Sequence, residues 1–209
     1  AAMLDWLDRF SVDLDFDYAG TVADIGTTRS ALEKIARELK FSIKDFSKRG
    51  IQYFFHYENT GRKTLKLDTA FPLLSTSTYS PQRLTEIDRI LTCQTRDTMF
   101  AHKLIALPGR YKANKAIAGR DIYDIHYFFL RGFSYNTNVI RERHGNDIRT
   151  FFSDLSVFIE KNITDTLLQE DLGPLLSPDK LRHTRKYLKQ ETLMFIRDEI
   201  ERLKKSSVQ

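Results

Sequence analysis

The sequence predicts an α+β protein, with a mixed β-sheet and flanking helices in its first half and a C-terminal helical subdomain in its second. Three observations carry that reading. Residues 10 to 17 alternate Phe10, Val12, Leu14 and Phe16 with Ser11, Asp13, Asp15 and Asp17, the period of two expected of a strand with one apolar face. Aromatic and β-branched residues over 41–47, 51–58 and 64–71 predict three more strands. From about residue 95 the apolar period becomes that of a helix and stays so.

Between the first two strands, Thr27 to Lys40 reads as an amphipathic helix, with Thr28 as its cap and Ala31, Leu32, Ile35, Ala36 and Leu39 on one side. The turn Asn59-Thr60-Gly61 joins the last two strands as a hairpin. Helices are predicted near 96–107, 119–131, 137–142, 146–161 and 179–204. Pro108 ends the first of these, because the residue before a proline is steered away from helical angles. The expected division is therefore 1–94 and 95–209, with no Gly, Pro or Ser linker and no internal repeat between the parts.

A hydrophobic share of 41% and a charged share of 29% exclude a disordered or fibrous chain. Apolar runs such as Tyr53-Phe54-Phe55 are too short to span a bilayer, and the N-terminus lacks the pattern of a secretory signal, so the expected compartment is the cytoplasm and no membrane partner is expected. The lone Cys93 makes neither an internal disulfide nor a thiolate zinc site, and core packing is its expected role. His56 and His102 have no partner at metal-ligand spacing, and neither a nucleophile elbow nor a P-loop is present. A net charge of +5 favours anionic partners without requiring them.

The chemistry-bearing pattern begins with Asp13 and Asp15. Two residues apart on a strand, they share a face at about 6 to 7 Å, close enough for both to reach one Mg²⁺, which prefers oxygen ligands. On its own such a pair is also what a solvated acidic strand face shows. Asp68 adds a third carboxylate, since Leu65, Leu67 and Thr69 alternate with Lys66 and Asp68. Three like charges in one place repel and raise their own pKa values, so such a cluster implies either a metal or basic partners.

At this point the residues resemble a known family. The segment "DRFSVDLDFD" is similar to the first catalytic motif of the AbiEii family of nucleotidyltransferase toxins. The segment "AHKLIALPGRYKANKAIAGRDIYDIHYF" resembles that family's later signature, a Lys-Leu-x-Ala-Leu helix followed by Arg-Asp-x-Tyr-Asp. Order and spacing agree; the strong motifs cover about 40 residues directly, and the strand-then-helix layout fits across roughly residues 1 to 131. The resemblance implies a polymerase-β-like nucleotidyltransferase core over 1–94 and a helical part over 95–209 that completes the site and binds the acceptor. It implies Mg²⁺, or Mn²⁺, on Asp13, Asp15 and Asp68, with Asp68 helping to activate the attacking hydroxyl. It further implies nucleotide binding by Ser11, Lys103, Arg110 and Asp124, with Asp121 as a catalytic residue. The activity implied is transfer of a nucleoside monophosphate from a nucleoside triphosphate to an acceptor, for which RNA, the tRNA 3′ end, is expected. The biological role would be that of a toxin in a toxin–antitoxin or phage-defence pair, with a cognate antitoxin protein as partner. The family's first motif opens on a Gly-Gly-Thr or Gly-Ser turn where this chain has Ala1-Ala2, which is read as truncation or replacement of that turn. Two alternatives remain: a weakened nucleotidyltransferase-fold module that binds nucleic acid or protein, and a transferase whose acceptor is a protein hydroxyl.

Each later candidate also has an ordinary structural reading. Lys103 borders the apolar stripe of Phe100, Leu104 and Leu107, where a lysine is commonly just solvated. Asp121 stands near the start of its helix, where a negative charge is favoured, and Asp124 shares its face. Arg110, Lys112, Lys115 and Arg120 form a run without an acid, suited to phosphate. Arg182, Arg185, Lys186 and Lys189 make a basic stripe opposite Leu181, Leu188 and Ile196, which either tracks an RNA backbone or is a solvated face.

Overall fold

The computed structural model describes residues 2–11, 13–47, 50–57, 64–145 and 147–206. The fold is α+β, as the periodicities predict, and divides into two compact units: Ser11–Leu74, and a second made of Ala1–Phe10 with Ser75–Gln209. This differs from the division at 94/95. Periodicity reports local conformation, whereas the second unit is held by long-range bonds. Glu142, for example, accepts from the amides of Ser75 and Thr76, each at 2.9 Å.

The unit Ser11–Leu74 contains β1 (Asp13–Asp17), α1 (Ile25–Glu38), β2 (Ser42–Phe46), β3 (Gln52–His56) and β4 (Thr64–Ala70). The sheet order is β1-β4-β3-β2, with β1 parallel to β4 and the other pairs antiparallel. Its core is Ala36, Ile51, Tyr53, Phe55 and Leu67, against which Leu14, Ile25, Leu32, Phe41 and Leu65 pack. Burying Leu14, Leu65 and Leu67 on one face leaves the alternate residues of β1 and β4 to the other. Tyr53 carries a polar tip into this core and donates to Glu33 of α1 at 3.0 Å. Two expectations change here. Thr28 lies inside α1 and bonds back to the Asp24 carbonyl at 3.0 Å, so it is not the cap; the helix begins earlier, after a short turn in which Asp24 accepts from the Thr21 amide at 3.0 Å. Phe10 precedes the strand and is exposed, and Phe16 is half exposed. The turn at 59–61 lies outside the described residues.

The second unit carries a hairpin, β5 (Tyr79–Leu84) with β6 (Arg89–Gln94), and six helices among the described residues: α2 (Arg96–Asn114), α3 (Gly119–Leu130), α4 (Thr137–His144), α5 (Ile148–Asn162), α6 (Asp165–Leu172) and α7 (Pro178–Ser206). Periodicity misses the hairpin, whose β5 carries Pro81 among polar residues and whose β6 sets Ile90 beside Leu91, and the eight-residue α6. Cys93 sits half-buried on β6, outside the core. Helix α3 packs against α2, α6 and α7, and α5 packs against α7. Phe100, Leu104, Leu107, Ile122, Ile125 and Phe128 are fully buried.

Pro108 does not end α2. Proline in a helix interior costs about 3 kcal/mol through the lost N–H and a clash with the preceding turn. Complete burial of Leu104 and Leu107 on the same helix outweighs that, and α2 runs on to Asn114, ending where Lys115 takes a left-handed conformation at φ 60°. Arg110 is therefore helical and shares a helix with Lys103. The basic stripe of α7 proves to be tied within the unit. Arg185 pairs with Asp165 and Arg182 with Asp179, while Lys189 donates to the Glu160 and Ile163 carbonyls at 2.7 and 3.1 Å, closing the C-terminal end of α5. Among the described residues no helix is long and apolar enough to cross a membrane.

Phe100 meets Phe128, Phe129 and Tyr135 edge-on, with ring centroids 5.1, 4.9 and 6.0 Å away. Phe100→Ala is expected to cost about 3–5 kcal/mol by opening a cavity. Urea denaturation should show a lower midpoint at an unchanged m-value.

Candidate active site

In the sheet unit, the parallel pairing of β1 with β4 aligns Asp13 with Lys66 and Asp15 with Asp68. Paired positions project to the same face, so Asp13, Asp15, Lys66 and Asp68 share one side of the sheet, opposite the apolar core. The Asp68 carboxylate accepts from Lys66 Nζ at 2.6 Å and Gln52 Nε2 at 3.0 Å on one oxygen, and from the Thr69 amide at 3.0 Å on the other. Lys66 is thus a basic partner for Asp68, and it stands beside Asp13 in the register. Ser11 is exposed, and its hydroxyl lies 3.5 Å from the Asp13 carbonyl. Among the described residues, no group of three or more His, Cys, Asp or Glu side chains stands arranged to hold a metal ion. Register brings the three aspartates to one face; the side chains do not converge. The donor set nevertheless suits a hard divalent cation, since all three groups offer carboxylate oxygens.

In the helical unit, Asp121 and Asp124 of α3 are both fully buried. Asp124 accepts two hydrogen bonds from Arg9, Nε at 2.5 Å and Nη2 at 2.7 Å, and lies 3.0 Å from Lys103 Nζ. Asp121 accepts from Lys103 Nζ at 3.2 Å on Oδ1. Arg110 Nε lies 3.1 Å from Asp121 Oδ2, near enough for an ion pair but without hydrogen-bond geometry, so Oδ2 accepts no hydrogen bond from a described residue. Asp121 stands in the first turn of α3, where a negative charge is favoured, but the hydrogen bond its carboxylate accepts comes from Lys103 of α2. Its side chain sits inside, between two cations of α2.

Burial alone would raise the Asp124 carboxyl's pKa, but Lys103 and Arg9 outweigh it and hold the group below the ordinary carboxylate range. Burial likewise works against the Lys103 ammonium, and Asp124 and Asp121 overcome it, raising its pKa. The Lys103 side chain is 27% exposed and Arg110 46%, whereas Arg9 is only 8% exposed. The two cations that reach solvent are the ones available to a phosphate.

Sequence reasoning passes over Arg9 and Asp8, although both lie in the first motif. Tyr123 donates to Asp8 at 2.7 Å, and Lys180 of α7 donates to the same carboxylate at 2.6 Å. Burial and the bond to Asp8 push the Tyr123 phenol above its usual range. The signal lay in complementarity between the motifs: Asp8-Arg9 in one meets Tyr123-Asp124 in the other. Asp124, expected to bind nucleotide, is fully buried and paired with Arg9 and Lys103. Lys112 and Lys115 lie at and just past the end of α2, and Lys115 packs over the Tyr111 ring at 4.9 Å.

A carboxylate whose folded pKa is depressed stabilises the fold above its ordinary pKa, and that contribution fades as pH falls through the folded value. Asp124→Asn is expected to cost about 3–5 kcal/mol at neutral pH, since it leaves Arg9 buried beside a neutral partner. The gap from the unsubstituted protein should narrow below about pH 4. Denaturation midpoints from pH 7 downward check this, and a gap that does not change with pH would contradict an ionised Asp124.

A family model described as "Nucleotidyl transferase AbiEii toxin, Type IV TA system" matches residues 1–201. No curated protein and no solved structure matches the chain. The matched span covers both motif regions, the aspartate strand and the helices bearing Lys103, Asp121 and Asp124, and the chain belongs to the AbiEii family of nucleotidyltransferase toxins.

Proposed function

We propose that this chain uses Mg²⁺, or Mn²⁺, to transfer a nucleoside monophosphate from a nucleoside triphosphate to the 3′ hydroxyl of an RNA, with tRNA as the acceptor. Family membership supports nucleotidyl transfer and a toxin role with an antitoxin partner. The observation that carries the reading further is the β1–β4 register, which sets Asp15 beside Asp68 and keeps Asp13 on the same face.

In this reading Asp13, Asp15 and Asp68 hold the metal, which when bound would neutralise charge developing on the phosphoryl oxygens. Lys66 pairs with Asp68 at 2.6 Å, placing a cation on the same face as the acids. Gln52 fixes the same carboxylate by a second bond. In the helical unit, Lys103 and Arg110 bind phosphate oxygens, and Asp121 orients both. Arginine adds a planar donor fork suited to phosphate, whereas lysine contributes a point charge. Catalysis of this kind is positional and electrostatic, with no covalent enzyme intermediate.

The test is to incubate the protein with each α-labelled nucleoside triphosphate, Mg²⁺ and either total tRNA or cell protein, alongside Asp13→Ala/Asp15→Ala. Label is expected in tRNA, falling at least about 100-fold in the double variant. Label in protein alone would move the acceptor to a protein hydroxyl. An absence of transfer under every condition would leave a binding module and sink the enzyme reading.

A further inference from the structure

We infer that Arg9 is a positioning residue, which keeps Lys103 and Arg110 attractive to phosphate by neutralising the buried Asp124. The inference rests on the proposed role of those two cations as phosphate contacts. Arg9 itself is almost wholly buried, and both ends of its guanidinium fork used here face Asp124, so it touches no ligand. Its effect must pass through its partner.

The charges in the cluster decide the matter. Asp121 and Asp124 supply two negative charges, both out of solvent, and Arg9, Lys103 and Arg110 supply three positive ones. One positive charge is in surplus, and it is expressed where the cluster meets water, at Lys103 and Arg110. Lys103 Nζ lies 3.2 Å from one buried carboxylate and 3.0 Å from the other. Without Arg9 the two acids would be matched by only two cations, and the Lys103 ammonium would be drawn onto Asp124, leaving no net attraction for an anion. Screening by salt is weak for buried charges, so the loss would not be masked in buffer.

Restoring the charge without restoring the salt bridge separates this role from a merely structural one. Arg9→Met removes the surplus, Asp124→Asn enlarges it, and Arg9→Met/Asp124→Asn returns it to the original value. The probe is inorganic tripolyphosphate, titrated calorimetrically against the full chain, with ATP and a short single-stranded RNA as parallel arms and circular dichroism as the folding control. Arg9→Met is expected to weaken tripolyphosphate binding about tenfold, Asp124→Asn to bind at least as tightly as the unsubstituted protein, and the double variant to recover to within about threefold, although less stable. The KM for nucleoside triphosphate should follow the same order.

A folded double variant that stays as weak as Arg9→Met would overturn the inference and leave Arg9 a structural tie. Should Arg9→Met not fold, the other two variants decide: Asp124→Asn binding more weakly than the unsubstituted protein overturns it, and the predicted order supports it. If the unsubstituted protein binds no tripolyphosphate, or if Lys103→Met leaves that binding unchanged, the phosphate reading itself fails and the inference falls with it. A shift in the RNA arm without one in the ATP arm supports the role of Arg9 and assigns the bound phosphates to the acceptor.

Discussion

The helical unit depends on one constraint: α3 buries two carboxylates, Asp121 and Asp124, three residues apart on the same face. A carboxylate withdrawn from water without partners costs far more than a helix of this length recovers by packing, so both must meet cations. That requirement reaches well beyond α3. It docks residues 8 and 9 against the helix, with Arg9 forked onto Asp124 and Asp8 bonded by Tyr123 and Lys180. It also gives α2 a reason to run past Pro108, because Arg110 faces Asp121 only from a continued helix. Removing Arg9 would leave Asp124 with Lys103 as its one remaining ion-pair partner among the described residues.

The sheet unit solves the opposite problem. Its acids lie on the face away from the core, where water and neighbouring side chains stabilise them and burial costs little. Their placement follows from the apolar residues: once Leu14, Leu65 and Leu67 turn inward to meet Tyr53 and Phe55, the alternation of a strand leaves Asp13, Asp15, Lys66 and Asp68 no other face. The parallel register then decides which acid neighbours which. A shift of one residue would set Asp15 beside Leu67, with its side chain on the wrong side of the sheet. The hydrophobic core of this unit therefore specifies the geometry of its polar face.

The elements with strong local signals were legible in the sequence. Leu14 against Asp13 and Asp15 gave β1, and Phe100, Leu104 and Leu107 gave the first turns of α2. What local reasoning could not see was determined by long-range contacts. Pro108 reads as a stop until the burial of its neighbours is known. Residues 75–94 show little periodicity and join the helices through bonds such as Glu142 with Thr76. In the candidate site, the sequence singled out Asp13, Asp15, Asp68, Lys103, Asp121 and Asp124 as candidates, whereas the cation that Asp124 meets, Arg9, was passed over. Pairing across 115 residues, as between Arg9 and Asp124, leaves no local pattern. The partners of the α7 stripe were hidden for the same reason: Arg185 pairs with Asp165, and Lys189 donates to carbonyls at the end of α5.

A cation bound to a buried acid is on charge alone a poor phosphate ligand, since its charge is already matched. The geometry around Asp121 argues otherwise. Lys103 and Arg110 stand two helical turns apart on α2, and one carboxylate faces both, hydrogen-bonded to Lys103 and ion-paired with Arg110. Long flexible side chains ordinarily lose rotamer freedom when they close on an anion, a cost that ordering beforehand removes. In the proposed role, Asp121 orders Lys103 by a hydrogen bond, and the surplus positive charge supplied from Arg9 would keep the cations from being electrically silent. The two demands conflict if a single acid–base pair must meet both, because full neutralisation orders the cation and cancels it. Sharing two buried acids among three cations meets both at once, which gives a physical reason for Arg9 to be buried where no ligand can reach it.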